Sequence, residues 1–100
     1  MLVHSVYFHL VPGLSPAQRA EFRQAVEILR TISCVEKAFV GAPAAVPDRP
    51  VIEKGYGLAL TVIFKDVAAH NSYQVDPIHL AFVAKYKHCW TRVQVYDVQE

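Results

Sequence analysis

The two side chains best suited to acid–base chemistry are Tyr73 and His79, which lie six positions apart. Asp76 and Pro77 between them suit an N-cap and a first helical position, so His79 falls in the first turn of a helix. Burial and the positive end of the helix dipole both disfavour imidazolium, and a neutral imidazole is a competent general base near neutral pH. The Tyr73 hydroxyl can orient a carbonyl or donate a proton, and the bend lets both side chains converge on one cavity.

The spacing leaves a structural interpretation open for each of these residues. His79 is equally consistent with a capped, buried histidine, and Tyr73 with a buried ring whose hydroxyl meets water. His4 lies on an apolar strand face, which is more typical of a hydrogen-bonded core residue than of a catalyst. Trp90 is interpreted first as a core plug and second as a residue that lines a cavity.

No metal site is predicted, because the histidines lack metal-ligand spacing. His4 and His9 point to opposite faces of a strand, and His79 and His88 are about 180° apart around a helix. No glycine-rich phosphate loop and no Ser-His-Asp or Cys-His constellation is present. We therefore expect a protein that uses no metal and no cofactor.

The composition indicates one domain, residues 1–100, that is unusually apolar. Hydrophobic residues make up 53% and charged residues 19%, where ordinary soluble domains have about 45–50% and about 25%. The net charge of +1 argues against a nucleic-acid partner. The longest apolar run, Gly55–Phe64, is too short to cross a membrane. The N-terminal segment lacks the basic residues that begin a signal peptide, so no signal peptide is predicted. Cys34 and Cys89 are too few for a disulfide framework and are interpreted as reduced thiols of a cytoplasmic protein.

Four segments have the patterns of β-strands. The first alternates, with His4, Val6 and Phe8 on one face, and the third is apolar on both faces. Residues 41–54, which are rich in proline, form the longest loop. The predicted strands are Leu2–Leu10, Cys34–Val40, Tyr56–Phe64 and Arg92–Val98.

Helices are predicted between these strands. Ser15 and Pro16 begin the first helix, whose apolar stripe consists of Phe22, Ala25, Val26 and Leu29. After the third strand come a short helix from Asp66 to about Tyr73 and another from Asp76 to about Lys87. The last helix places His79, Phe82, Val83 and Tyr86 on one face.

This order of elements predicts an α+β, ferredoxin-like βαββαβ fold, with a four-stranded antiparallel sheet and the helices on one face. The other face would then leave the apolar third strand uncovered. An uncovered apolar face is expected to find a partner, and the simplest one is a second copy, in a two-fold homodimer with the sheets facing each other. A monomer with an apolar sheet face is the alternative.

Several segments resemble the stress-responsive dimeric α/β-barrel (Dabb) family. They are Val3–Leu10, Pro12-Gly13 with the helix start, Gly55-Tyr56, Tyr73–Val83 and Val95-Tyr96-Asp97. The most specific is the pattern Tyr-x-x-x-Pro-x-His-x-x-Phe within Tyr73–Val83, and the resemblance covers nearly the whole chain. It implies a ferredoxin-like fold and a dimer whose two sheets form a barrel.

One branch of that family, which contains plant polyketide cyclases, is similar to this chain in more detail. The resemblance implies cofactor-free closure of a poly-β-ketone by an aldol reaction, with Tyr73 and His79 as working residues and His4 and Trp90 lining the cavity. The chain departs from the family pattern at three positions. Asp76 replaces a usual histidine, Leu58 stands where histidine is frequent, and Val26 replaces an aromatic residue.

The expected function is that of a stress-responsive homodimer with an apolar cavity between the helices and the sheet of each protomer. We expect the cavity to bind a small hydrophobic carbonyl compound. His79 would remove a proton alpha to the carbonyl, and Tyr73 would stabilise the enolate oxygen. The predicted binding residues are His4, Val6, Phe8, Phe22, Val26, Phe82 and Trp90.

Two other classes of protein remain open. A non-enzymatic stress-response or interaction module, whose role is dimer assembly, would use His79 and Tyr73 for capping and packing alone. A small monooxygenase of the dimeric-barrel type has less support, since no residue set specific to oxygen chemistry or haem is present.

Overall fold

The computed structural model describes residues 1–100 and contains a four-stranded sheet. The spatial order is β2-β3-β1-β4, and each neighbouring pair is antiparallel. The predicted α+β, ferredoxin-like fold is confirmed. The strands are β1 (Leu2–Leu10), β2 (Lys37–Gly41), β3 (Leu58–Phe64) and β4 (Trp90–Gln99).

Three α-helices connect the strands, and each begins at a capping residue read from the sequence. Ser15 and Gln18 form a capping box, in which each side chain accepts a hydrogen bond from the other's backbone N–H. Asp66 accepts from the N–H of Ala69 at the start of the second helix. The helices are α1 (Pro16–Ile28), α2 (Val67–Val75) and α3 (Pro77–Tyr86), with 3₁₀ turns at Leu29–Thr31 and Lys87–Cys89.

Asp76 separates α2 from α3 and sets the angle between them. Its backbone is extended, with φ −62° and ψ 137°, because the residue before a proline is disfavoured in the helical region. Its carboxylate accepts a hydrogen bond from the N–H of Ile78 at 2.8 Å and so caps α3. This bend directs Tyr73 at the end of α2 and His79 at the start of α3 towards each other.

The hydrophobic core lies between the helices and one face of the sheet. Leu2, Val6 and Phe8 of β1 and alternate residues of β3 point into it, together with the stripe of α1. Strand β1 is central, so that His4 has Val62 of β3 on one side and Asp97 of β4 on the other. The face of the sheet that bears these residues is called the helix face below.

The opposite face of the sheet carries no helix and is called the bare face. Phe39, Tyr96 and Val98 are exposed on it. Val3 and Tyr7 of the central strand lie among them and are half-buried. The structure thus leaves one apolar face without cover, as the strand pattern predicts.

The predicted bounds of three strands were wrong. Strand β2 begins at Lys37 rather than Cys34, because the N–H of Val35 donates to Ile32 O in a turn at 3.0 Å. Strand β3 begins at Leu58 rather than Tyr56, and β4 is longer than predicted, from Trp90 to Gln99. None of the helices is both long enough and apolar enough to span a membrane.

Candidate active site

A cavity of about 210 Å³ lies between β1, β4 and the junction of α2 with α3. Its polar lining residues are His4, Tyr73, Gln74 and His79, and the remaining ones are apolar. The lining contains neither lysine nor arginine, and neither aspartate nor glutamate. The apolar walls are Val6, Phe8, Leu29, Leu60, Phe82, Val83, Trp90, Val93 and Val95.

Most of the predicted site residues lie in this lining, but Phe22 and Val26 do not. Both are fully buried in the core behind the cavity. The ring of Phe22 packs against Phe8 with centroids 5.2 Å apart and against Trp90 at 6.1 Å. Phe22 therefore supports the wall of the cavity from behind instead of facing a ligand.

His79 is held with one ring nitrogen free for chemistry. Its Nδ1 lies 3.1 Å from the backbone oxygen of Gln74. Since a carbonyl can only accept, Nδ1 carries the hydrogen and Nε2 keeps its lone pair. Burial lowers the pKa of His79 below its ordinary value, the bond to Gln74 opposes this, and the nearby His4 adds to it. The imidazole is therefore neutral near neutral pH and can act as a base.

Tyr73 is buried beside His79, with ring centroids 4.7 Å apart. Burial raises the pKa of Tyr73 far above its ordinary value, so its hydroxyl stays protonated and can donate a hydrogen bond. The hydroxyl has no hydrogen-bond partner within the protein. Because no fully enclosed polar side-chain atom lacks a partner, the hydroxyl oxygen must reach the open space of the cavity.

His4 reaches the cavity from the central strand. Its Nδ1 lies 2.5 Å from Oδ1 of Asp97, its cross-strand neighbour on β4. A carboxylate at this distance orients the ring and leaves Nε2 as the free nitrogen. The ring centroid lies 6.0 Å from that of Tyr73, so His4, Tyr73 and His79 form one continuous group.

Two further polar residues of this region, His70 and Asp97, were missed by the sequence analysis. His70 on α2 packs edge-on against His4, with centroids 5.1 Å apart. Its Nε2 lies 3.9 Å from Oδ2 of Asp97. One signal was available: His70 lies one helical turn before Tyr73 and therefore on the same face of α2. Asp97 could be found only from the register between β1 and β4.

The two cysteines are free thiols and lie outside the cavity lining. Burial raises the pKa of both Cys34 and Cys89. Since the thiolate is the reactive form, this disfavours either residue as a nucleophile.

The three other hollows lack an imidazole. One of about 230 Å³ has Arg19 and Arg23 in its lining. A groove of about 290 Å³ between α1 and α3 is almost wholly apolar, with Lys85 at its edge. A hollow of about 490 Å³ on the bare face is lined by Tyr7, Glu53, Tyr56, Gln94 and Tyr96. The smaller cavity beside His79 is therefore the one that combines apolar walls with a free base and a free hydroxyl.

Many solved structures are similar to this fold, and three of them match it over nearly its whole length as follows. A Dabb family protein from Mesorhizobium loti is 24% identical, with a TM-score of 0.80 over 99% of this chain and 95% of its own. A hydroxynitrile lyase from Passiflora edulis is 21% identical, with a TM-score of 0.79 over 97% and 90%. A dimeric ferredoxin-like protein of unknown function from Thermobifida fusca is 18% identical, with a TM-score of 0.79 over 99% and 90%. At these identities the likeness shows the fold.

Among curated proteins, none matches the sequence. The sequence profile of the Stress responsive A/B Barrel Domain family, Dabb, matches residues 2–100. This match spans nearly the whole chain and agrees with the resemblance seen in the segment Tyr73–Val83. The chain therefore belongs to the Dabb family of stress-responsive A/B barrel domains.

Proposed function

We propose that this Dabb domain binds a small hydrophobic carbonyl compound in the cavity beside His79 and performs cofactor-free acid–base chemistry on it, of a cyclase or lyase type. One observation carries the proposal. The free Nε2 of His79 and the unpartnered hydroxyl of Tyr73 belong to the same otherwise apolar cavity.

The lining favours a neutral ligand. Without lysine or arginine, the cavity offers no counter-charge to a carboxylate or a phosphate. The aromatic rings of Phe8, Phe82 and Trp90 instead suit an apolar body. A carbonyl oxygen on such a body would accept a hydrogen bond from the Tyr73 hydroxyl.

The proposed chemistry begins with proton transfer. Nε2 of His79 removes a proton alpha to the carbonyl, and the Tyr73 hydroxyl donates to the enolate oxygen that forms. The enolate carbon then attacks a second carbonyl carbon of the same ligand, and a carbon–carbon bond forms. The resulting alkoxide takes back the proton from the imidazolium of His79, which restores the neutral base.

The fold itself is compatible with this type of chemistry, since the similar structure from Passiflora edulis is a hydroxynitrile lyase. The electrostatics of the site agree with the assigned roles. The lowered pKa of His79 keeps it unprotonated as a base, and the raised pKa of Tyr73 keeps it protonated as a donor. Such positioned groups typically accelerate a reaction by about 10²–10⁴-fold.

Exchange of the methyl protons of acetophenone for deuterium tests this proposal. The exchange in D₂O, followed by ¹H NMR, reports removal of a proton alpha to a carbonyl without requiring the natural substrate. We expect the protein to accelerate exchange above the rate in buffer. His79→Ala should lower the added rate by about 10²-fold or more, and Tyr73→Phe by a smaller factor.

His88→Ala and Tyr96→Phe are matched controls, because both residues lie outside the cavity. They should leave the exchange rate unchanged. If the wild-type protein does not accelerate exchange, or if the rate survives His79→Ala, the acid–base proposal is wrong. Binding of acetophenone without exchange would instead favour a non-enzymatic stress-response or interaction module.

We also propose a homodimer formed through the bare face. Its exposed apolar side chains Phe39, Tyr96 and Val98 need cover, and the similar protein from Thermobifida fusca is dimeric. A charge buried without a partner in such an interface is strongly unfavourable. Val98→Lys should therefore shift the protein from dimer to monomer in sedimentation velocity.

Val75→Lys is the matched control for this experiment. Val75 is as exposed as Val98, at 68% against 63%, but it lies on α2, away from the bare face. This variant should remain dimeric. A wild-type protein that sediments as a monomer, or a dimer that tolerates Val98→Lys, would contradict the proposed interface.

We infer a single domain over residues 1–100, in a reducing cytoplasmic setting and without a nucleic-acid partner. The family match over residues 2–100 supports one domain. The free thiols Cys34 and Cys89 suit a reducing compartment. The net charge of +1 offers little attraction to a phosphate backbone.

A further inference from the structure

Three side chains with metal-ligating atoms converge at one end of the helix face. His4 comes from β1, His70 from α2 and Asp97 from β4, and their ligand atoms all lie within 4.8 Å of one another. No pair of them is close in sequence, so the cluster exists only in the folded chain. His4 and Asp97 are cross-strand neighbours, and His70 lies against both of them.

We propose that His4, His70 and Asp97 bind one divalent transition-metal ion per chain, of the Zn²⁺ or Co²⁺ type. The ligands are Nδ1 of His4, Nε2 of His70 and the carboxylate of Asp97. The site departs from the expectation, drawn from sequence spacing alone, that the protein holds no metal. It does not depend on the acid–base role proposed for His79.

The distances between the ligand atoms support this site. Imidazole nitrogen and carboxylate oxygen bind Zn²⁺ at about 2.0–2.2 Å, so two ligands of one tetrahedral ion are about 3.3–3.6 Å apart. Nε2 of His70 lies 3.9 Å from Oδ2 of Asp97, close to this spacing, whereas Nδ1 of His4 lies 2.5 Å from Oδ1. The half-exposed carboxylate of Asp97 must therefore move about 1 Å away from His4 to admit an ion. The widest spacing in the cluster, within 4.8 Å, requires a small closing movement. His70 can make that movement, because its side chain lies on the partly exposed side of α2.

The chemistry of the ligands selects the class of metal. Two imidazoles and one carboxylate suit Zn²⁺, Co²⁺ or Fe²⁺, whereas Mg²⁺ and Ca²⁺ prefer oxygen ligands alone. No thiol is among the three ligands. Three protein ligands also leave at least one coordination position for water or for a ligand of the protein.

The surroundings of the cluster permit metal entry. The side chain of Asp97 is 40% exposed, which gives an ion a path from solvent, whereas His4 is buried and fixed by the sheet. An ion between His4 and Asp97 must displace the proton that the two now share. Binding should therefore release a proton and weaken as the pH falls.

Titration with Co²⁺, after treatment of the protein with a chelator, tests the proposal. We expect one ion per chain and visible d–d absorption bands, without the near-ultraviolet charge-transfer band that a thiolate ligand produces. His70→Gln and Asp97→Asn should each raise the apparent Kd for Co²⁺ by about tenfold or more. Circular dichroism checks that both variants fold. If Asp97→Asn does not fold, the His70→Gln variant alone tests the site. Because His70 is partly exposed, its replacement is expected to leave the fold intact.

His88→Gln and Asp48→Asn are the matched controls. Nε2 of His88 lies 3.6 Å from Sγ of Cys89, so this pair places an imidazole beside a thiol, the combination that would give a thiolate band with Co²⁺. Both controls should leave the affinity and the spectrum unchanged. Co²⁺ binding that shows a thiolate band, that is lost in His88→Gln, or that survives both His70→Gln and Asp97→Asn would overturn the proposed site.

Discussion

The two faces of the sheet are built from the same strands but differ in what their side chains do. On the helix face, Phe64 is fully buried and the imidazoles of His4 and His79 lie beside Tyr73. On the bare face, Phe39 and its neighbours remain in contact with solvent. Because consecutive residues of a strand point to opposite faces, one short sequence supplies both surfaces. The first surface stabilises the protomer and the second is available for association.

Tyrosine shows the contrast between the faces most clearly. Tyr73 on the helix face is almost fully buried and lines the cavity. On the bare face Tyr7 packs edge-on against Tyr56 and Tyr96, with centroids 5.0 and 6.2 Å apart. Such half-exposed rings with polar tips suit an interface between proteins. The same residue type therefore has different chemistry according to which face it occupies.

The largest expected difference concerns the same substitution on opposite faces. Phe64 is 0% exposed and Phe39 is 51% exposed. Phe64→Ala should lower the free energy of unfolding by about 3–5 kcal/mol, because it removes a buried ring and leaves a cavity. Phe39→Ala should change the stability of the protomer by only about 0.5 kcal/mol. Urea unfolding, followed by circular dichroism, measures both values.

Protein concentration separates the two effects, since dimer formation contributes to stability by mass action. Phe39→Ala should make the unfolding midpoint depend less on concentration than that of the wild type. Phe64→Ala should lower the midpoint at every concentration. Equal losses for the two variants would show that the bare face is as important to the protomer as the core.

The next comparison uses two hydrogen-bonded histidines of β1. His4 Nδ1 meets Asp97 at 2.5 Å on the helix face, and His9 Nε2 meets Gln94 at 2.9 Å on the bare face. Double-mutant cycles with alanine should give a coupling energy of about 1.5 kcal/mol for the first pair, which involves a carboxylate and a buried ring. The second pair, which contains no carboxylate, should give about 0.5 kcal/mol.

Thermal unfolding of the single and double variants, in a buffer free of metal ions, provides these coupling energies. The pair on the helix face should retain its coupling at high salt, because one partner is buried and screening is weak there. A larger coupling energy for the pair of His9 and Gln94 than for the pair of His4 and Asp97 would contradict this comparison. It would show that burial and the carboxylate do not strengthen the hydrogen bond on the helix face.

Local sequence patterns were sufficient for the fold and for much of the candidate site. Alternation in β1 placed His4 on the helix face, and the cap at Asp76 with Pro77 placed Tyr73 and His79 on either side of a bend. These features depend on neighbouring residues, whose geometry follows from backbone sterics. The chemical roles of the three residues stay predictions, which the exchange experiment tests.

Features that depend on long-range packing were not accessible from the sequence. Cys34 continues the apolar pattern of β2, but a turn before Lys37 shortens that strand. Asp97 meets His4 only through the register of β1 with β4. Phe22 shares the stripe of α1 with Leu29, which lines the cavity, yet Phe22 itself lies behind the wall. Position along the chain cannot reveal how far a helix lies from a cavity.

The smallest expected effect is a pH dependence of the free energy of unfolding, which arises from His79 on the helix face. Burial lowers the pKa of His79 in the folded protein below its unfolded value near 6.5. His4 and His70 lower it further, whereas Gln74 and Asp76 oppose the shift. Below about pH 6.5 the His79 side chain therefore takes up a proton more readily in the unfolded chain than in the folded one. The free energy of unfolding must then fall as the pH drops below about 6.5. Above that pH the contribution of His79 is fully present.

His79→Gln should flatten the curve of unfolding free energy against pH below about 6.5, since the glutamine cannot titrate. The dimer Kd from sedimentation should be the same in this variant as in the wild type, because His79 lies on the helix face. A direct ¹H–¹⁵N NMR titration of the His79 ring should give a midpoint below 6.5. A midpoint above that value would mean that the cavity stabilises the imidazolium, which contradicts the effect of burial described above and removes the electrostatic support for His79 as a neutral base.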